Sequence, residues 1–234
     1  MQEQKCANII LIETSTSLCS VALCRNGEIA SYRESDTVKS HAGLTTPFVQ
    51  EVLEEAGLKV SDCDGVCVSS GPGSYTGLRV GASTAKGLCF GAGIPLFAVS
   101  TMDILAQMGQ DHGCDYVVPM IDARRMEVYA AVFKGEEQIA RTSSVIVEAD
   151  SFSEYLQKGK VLFIGDGAQK CSSVITDANA QFCQCCPTAK AMGKLAYKLY
   201  LEGKKEDIAY FEPFYLKDFI ATVSKKSLFT NPLL

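Results

Sequence analysis

Two stretches of this chain follow one plan. "ANIILIE" is an apolar run of strand composition that ends in an acid, Glu13. It leads through a short connector and "SVALC" to a turn glycine, Gly27. "YVVPMID" ends in Asp122 and leads through "EVYAAVF" to Gly135 at nearly the same distance. Repetition on this scale implies two similar structural units. In the first unit "SVALCRNGEIASYRE" reads as a hairpin, because Asn26-Gly27 suits a turn that needs positive φ at both centres.

Each unit therefore opens with a three-stranded meander whose first strand ends in a carboxylate. That plan points to an α/β, actin-like duplicated fold with two subdomains, the acids facing each other across a cleft. The first subdomain is placed at residues 1–105. The second, a degenerate copy, is placed at 106–234 and includes the C-terminal helix and tail. Between them the chain alternates. A helix lies within "SHAGLTTPFVQEVLEEAGL", where Leu44, Phe48, Val52 and Ala56 recur every four residues and Val49 and Leu53 widen the stripe. Pro47 either kinks it or opens it, and Gly57 ends it. "GVCVSS" and "IPLFAVS" are strands. Ser100 caps the next helix, with Asp103 expected to close a capping box. "VLFIG" is a strand, and "TAKAMGKLAYKLYLEG" is a helix with Ala189, Met192, Ala196 and Leu199 on one face. The tail "DIAYFEPFYLKDF" is apolar enough to dock.

Composition removes several classes of function. With 47% hydrophobic and 21% charged residues, the 234-residue chain can bury a sizeable core. A net charge of −5 and no basic tract make it a poor stand-alone nucleic-acid binder. No apolar run reaches the roughly 20 residues of a membrane span, and the N-terminus lacks a signal-peptide pattern, so a cytoplasmic protein is expected. Most of the 11 cysteines are expected to be small buried hydrophobes. The cluster Cys183, Cys185 and Cys186 lacks a partner pair at zinc-site spacing.

The stretch "SSGPGSYTGLRVGASTAKGL" has the look of a phosphate cradle and fails the test for one. The Walker A pattern finds Thr76 or Leu78 where it needs glycine, and in the dinucleotide fingerprint Gly77 comes one residue late. Its small residues Gly73, Gly77, Gly81, Ala85, Cys89 and Gly93 instead lie four apart, one drifting stripe on a helix. Interior glycines cost up to about 1 kcal/mol each relative to alanine, so a use is implied. Close packing is that use, either inside this chain's core or against a partner's helix. Arg79 and Lys86 share a face away from the smallest residues.

These residues carry a resemblance. "IETSTSLCSVAL", the glycine-rich stretch, "GIPLFAVSTMDILA", "MIDARRMEVYAAVF", "GDGA" and "EPFYLK" together resemble the TsaB family. The likeness runs from about Ile9 to Phe133 and resumes near the C-terminus. Two departures are Glu13, where the family usually has aspartate, and Lys217, where it has arginine. The resemblance implies an actin-like fold and a subunit that is not itself the enzyme. Such a subunit pairs with the TsaD transferase through first-subdomain helices, joined by the ATPase TsaE, to make threonylcarbamoyladenosine in tRNA. It implies no cofactor in the isolated chain, tRNA met only indirectly and no membrane; nucleotide where the subunits meet stays open, and the small-residue face, otherwise exposed, offers a homodimer contact when the chain is alone.

On that basis the partner-binding residues are expected to be His41, Leu44, Phe48 and Val52 on one helix and Gly77, Arg79, Gly81, Ala85 and Lys86 on the next. No catalytic or metal site is expected. A TsaD-type metal site wants two histidines one helical turn apart, and this chain has only His41 and His112, far apart in sequence. A G-x-S-x-G elbow is absent. "TSTSL" and "ARRME" hold no phosphate-turn glycine, so Glu13 and Asp122 read as vestigial or structural acids. Two other classes stay open: a metal-dependent peptidase-like enzyme, and an actin-like small-molecule kinase or ATPase.

Overall fold

The computed structural model describes residues 6–37 and 41–216. Lys217, singled out in the C-terminal motif, lies outside the described residues. The first sheet holds β1 (Asn8–Glu13), β2 (Cys19–Arg25), β3 (Glu28–Ser35), β4 (Gly65–Ser69) and β5 (Leu96–Val99) in the order β3-β2-β1-β4-β5. The second holds β6 (Tyr116–Asp122), β7 (Glu127–Lys134), β8 (Glu137–Ile146), β9 (Val161–Ile164) and β10 (Ala180–Cys183) in the order β10-β9-β6-β7-β8. Read from the other edge, the second order repeats the first. In both, an antiparallel meander is extended by two parallel strands. The duplication read from Glu13 and Asp122 is therefore the architecture, an α/β actin-like pair of units.

The hairpin turn behaves as its sequence dictates. Asn26 and Gly27 take φ of 52° and 91°, and the Asn26 side chain accepts a 2.8 Å bond from the Ala7 amide. Helix α1 (His41–Glu55) carries Pro47 inside it rather than at its start. The proline removes one intrahelical donor, and the Thr45 hydroxyl donates back to the His41 carbonyl at 2.6 Å in the same turn. Helix α2 (Tyr75–Ala92) starts at Ser74, whose hydroxyl accepts from the Gly77 amide, and stops at Gly93 in a left-handed conformation. Helix α3 (Thr101–Gly109) is capped by Ser100, which accepts from the Met102 amide at 3.1 Å. That bond comes from the second helical residue, and Asp103 supplies no return bond, so the expected capping box does not form.

Both faces of each sheet are covered, which is why the parallel strands read as unbroken apolar runs. In the first sheet Ile10, Ile12, Val66 and Val68 pack under α1 and α2. Ile9, Leu11, Cys67 and Phe97 face the other way, onto Ile104, Ala189, Met192 and Ala196. Those last three belong to a 3-10 turn (Ala189–Met192) and to helix α6 (Gly193–Leu201). In the second sheet Val117, Ile121, Phe133 and Leu162 pack against Met102, Leu105 and Ala106 of α3. Its opposite face carries the two short helices α4 (Ser153–Leu156) and α5 (Ala168–Cys171).

The helices thus cross over the division at residue 105. Helix α6 follows the second sheet in sequence but packs on the first. The tail does the same: Glu206 bridges to Leu96 of β5, and the Phe214 amide donates to the Ser70 carbonyl at 2.7 Å. In the other direction α3, mostly assigned to the first unit, serves the core of the second. No helix among the described residues is long and apolar enough to cross a membrane.

Candidate functional site

The C-terminal end of β1 meets the N-terminal end of α2, and there the small-residue stripe finds its use. A methyl group on Gly73 would collide with the Ser15 carbonyl oxygen, one on Gly77 with the Thr14 carbonyl oxygen, and one on Gly81 with the Thr14 hydroxyl. The approach is bonded as well as close: Thr14 Oγ1 donates to the Gly77 carbonyl at 2.8 Å, and the Ser74 amide donates to the Ser15 carbonyl at 2.6 Å. The glycines therefore admit the chain's own connector between β1 and β2. Gly77, Gly81 and Ala85 are buried in this chain, and so is Val52 of α1. Of the residues expected to bind a partner, these four face inward and pack within this chain.

The remaining expected contacts divide. Leu44 and Phe48 are half-buried at the edge of α1, and Arg79 is exposed. The Arg79 guanidinium sits 4.2 Å from the centre of the Tyr75 ring, which in turn lies 4.9 Å from the Tyr215 ring. Lys86 donates to the carbonyls of Phe211 at 2.8 Å and Ala209 at 3.3 Å, so it holds the tail. His41 opens α1 with Nε2 2.9 Å from the Thr16 carbonyl oxygen, tying that helix to the β1–β2 connector.

Sequence reasoning missed the outward face of α2. Thr76, Ser83, Gly87 and Gly91 are exposed and Val80 is half-buried, at spacings of three and four. Phe90 beside them is 84% exposed. Nothing stands within 4 Å of a methyl group placed on Gly87 or Gly91. The signal was in the sequence, as a second set of small residues out of phase with the first.

The two strand-end acids have opposite chemistry. Glu13 is fully buried. One of its oxygens accepts from the Ser15 amide at 2.5 Å, and the other, Oε2, has no partner; nor have the Ser15 and Thr16 hydroxyls. Burial pushes this carboxyl up to about 7, against the hydrogen bond from the Ser15 amide. Asp122 is exposed. Partial burial works against its charge, but the Lys170 ammonium and the Arg124 amide outweigh that and hold its carboxyl below the usual range. Lys170 Nζ bonds Asp122 Oδ1 and also the carbonyls of Arg125 (2.7 Å) and Glu127 (2.6 Å). One acid is sealed under α2 and the other is committed to a lysine, so neither presents an unencumbered carboxylate to a metal–nucleotide.

The cysteine cluster sits where the chain leaves β10. Cys183 and Cys185 pack into the α3 side of the second sheet, and Cys186 Sγ is 3.6 Å from Ser17 Oγ of the first unit. Burial, with Cys183 alongside, pushes the Cys185 thiol up to about 12. A thiol held in that state is a packing group and a weak donor.

Comparisons with known proteins agree with this geometry. Residues 34–225 match the family model for TsaD, described as tRNA N6-adenosine threonylcarbamoyltransferase. The tRNA threonylcarbamoyladenosine biosynthesis protein TsaB of Escherichia coli is 30% identical, over 91% of this chain and 96% of its own length. That of Haemophilus influenzae is 31% identical, over 90% and 93%. Among solved structures, a Pseudomonas aeruginosa protein described as similar to the peptidase YeaZ superposes with a TM-score of 0.81 at 27% identity, covering 90% of this chain and 100% of that one. A second, YeaZ from the same organism, gives 0.73 at 28% identity with the same coverage. Identity at this level along nearly the whole of two curated relatives, on the same duplicated fold, establishes that the chain belongs to the TsaB family of tRNA threonylcarbamoyladenosine biosynthesis proteins.

Proposed function

We propose that this chain is a non-catalytic, cytoplasmic subunit that binds and activates a TsaD-type transferase in forming threonylcarbamoyladenosine in tRNA next to the anticodon. A TsaE-type ATPase joins the pair, and nucleotide binding is assigned to the junction between subunits. The observation that carries this reading is the closure of Glu13. The strand end that would face a metal–nucleotide in an actin-like enzyme is plugged by the N-terminal turn of α2, which the Thr14–Gly77 and Ser74–Ser15 bonds lock in place. The relatives' names, tRNA threonylcarbamoyladenosine biosynthesis protein, supply the pathway. The peptidase-like alternative finds little support: His41 is engaged by the Thr16 carbonyl, and His112 sits at the end of the 3-10 turn after α3, on a different element.

The face offered to the transferase is the outer stripe of α2, from Thr76 through Val80, Ser83 and Gly87 to Phe90, flanked by Leu44 and Phe48 of α1. It joins small residues, which let a second helix come close, to one large exposed anchor. Two copies of the chain alone would pair on the same face, since it leaves an aromatic ring bare. The test is affinity capture of the tagged full chain from native extract. A TsaD-type protein in the eluate supports the reading. Its absence, with the tagged chain folded, overturns it.

A further inference from the structure

At the end of β6 the chain makes a turn that its sequence does not favour. Arg124 and Arg125 take φ of 72° and 53°, consecutive left-handed residues, neither of them glycine. Elsewhere the chain meets the same backbone demand with Asn26-Gly27 and with Gly135. A bulky side chain in this region carries a steric cost, and such residues persist where the surroundings over-determine them.

The surroundings do so here. The Ala123 amide donates to the Glu127 carbonyl at 3.1 Å and the Glu127 amide to the Arg124 carbonyl at 3.2 Å. The Arg124 amide donates to Asp122 Oδ1 at 2.8 Å, and Lys170 holds the carbonyls of Arg125 and Glu127. Lys170 thereby spends its charge on backbone and on Asp122. The two arginine side chains are left exposed, and neither guanidinium makes a hydrogen bond or ion pair among the described residues. The equivalent connector of the first unit, "TSTSL", is uncharged and mostly buried under α2. The second unit has only the short α5 at that place, so its connector opens to solvent.

We infer that the turn Arg124–Met126 is a contact site for the phosphate backbone of RNA, with the Arg124 and Arg125 guanidinium groups as its ligands. The planar fork of arginine matches phosphate oxygens. Asp122, two residues before the pair, is ion-paired with Lys170, which takes up much of its charge. A carboxylate-rich protein surface would suit the same forks. RNA is favoured because two adjacent exposed guanidinium groups without an ion pair among the described residues stand out on a chain of net charge −5, and because the curated relatives are named for tRNA modification. The inference rests on the function proposed above and departs from the expectation that tRNA is met only through the partner.

The test uses R124N/R125G, which supplies side chains suited to the turn and removes both charges. Unmodified tRNA transcript is titrated against the full chain alone and against its complex with the transferase subunit, over a range of salt. The variant is expected to melt no lower than the parent and to pair normally. Its complex should bind tRNA at least tenfold more weakly near 100 mM salt. The log K against log salt slope should be shallower by about 1.5, the release expected for two phosphates. Parent affinity and slope in the variant overturn the inference. So does weakened pairing with unchanged RNA binding, which would reassign the forks to the protein partner. A parent chain that fails to pair overturns the proposed function instead, and the chain-alone titration then decides the phosphate contact.

Discussion

Gly77 and Thr14 leave no room between them: the Thr14 hydroxyl donates to the Gly77 carbonyl, and a single methyl group on Gly77 would strike the Thr14 carbonyl oxygen. That pair joins the first strand of the fold to the helix beside it. Gly77→Ala is therefore expected to destabilise the chain by about 1–3 kcal/mol, the usual cost of overpacking. Gly87→Ala, ten residues on in the same helix and facing open space, is expected to be neutral or to stabilise by up to about 1 kcal/mol. Urea unfolding of the two variants side by side checks both signs.

The same geometry rules out Gly81 as a probe of partner binding. Leucine there would drive into the Thr14 hydroxyl and the Val68 side chain, so a loss of pairing would only report a damaged core. Phe90→Asp and Gly87→Leu act on the outer stripe, where the chain's own packing is untouched. Each should leave the melting temperature within a few degrees of the parent. Each should also weaken capture of the transferase by roughly 30-fold or more, the scale of losing a hot-spot contact of about 2 kcal/mol. Parent-like capture by both would remove this face from the interface.

Much of this was legible in sequence, and the parts that were not share a physical cause. The duplication showed in Glu13 and Asp122 because a buried parallel strand must be apolar along its length, and the residue at its end is free to differ. The small stripe of α2 was equally plain, but a stripe says only that something comes close. Whether that is a helix, a partner or a main-chain carbonyl depends on residues distant in sequence, here Thr14 and Ser15. The crossover of α3 and α6 was invisible for the same reason, since amphipathic periodicity marks which face is buried and not which sheet buries it. Arg124-Arg125 escaped notice because turn chemistry is read from Gly, Asn and Pro, and a turn held by Lys170 from another segment needs none of them.

Glu13 gives the protein a pH dependence of definite sign. Its carboxyl titrates near 4.5 in an unfolded chain and at about 7 in the fold, so the folded state binds the proton more tightly. Stability from this group is fully present below pH 4.5, falls as pH rises through 7, and is flat above that. The fall amounts to roughly 3 kcal/mol at most. Glu13→Gln, which keeps a neutral group of the same shape, should remove the slope. Chemical unfolding at pH 5 and pH 8 reads it directly, and equal slopes in parent and variant would refute the assignment.

Lys170 is expected to matter more than a surface lysine should. Its ammonium satisfies two carbonyls and one carboxylate around a backbone that is otherwise strained. Lys170→Met leaves those acceptors unpaired and should cost about 1–3 kcal/mol. The Asp122 carboxyl should also rise toward its ordinary range, and a carboxylate titration followed by NMR would detect that shift.

Lys86 links the outer helix to the tail, and its loss should be local. The segment after α6 is attached to the first sheet by the Leu96–Glu206 bridge, by the Phe214–Ser70 bond and by Lys86 on the carbonyls of Phe211 and Ala209. Tyr215 also packs its ring, tilted by 43°, against Tyr75, itself covered by Arg79. Lys86→Ala removes two of the ties between tail and helix while leaving the core of α2 unchanged. Global stability should fall by no more than about 1 kcal/mol, because a partly exposed bond to a carbonyl contributes little net. Local opening should rise, since a segment with few buried contacts is held by just such bonds. Limited proteolysis is expected to cut the variant between α6 and Tyr215 several-fold faster than the parent, with the rest of the chain cut at parent rates. Equal cutting would show that Phe211 and the Tyr75–Tyr215 ring contact hold the tail without the lysine.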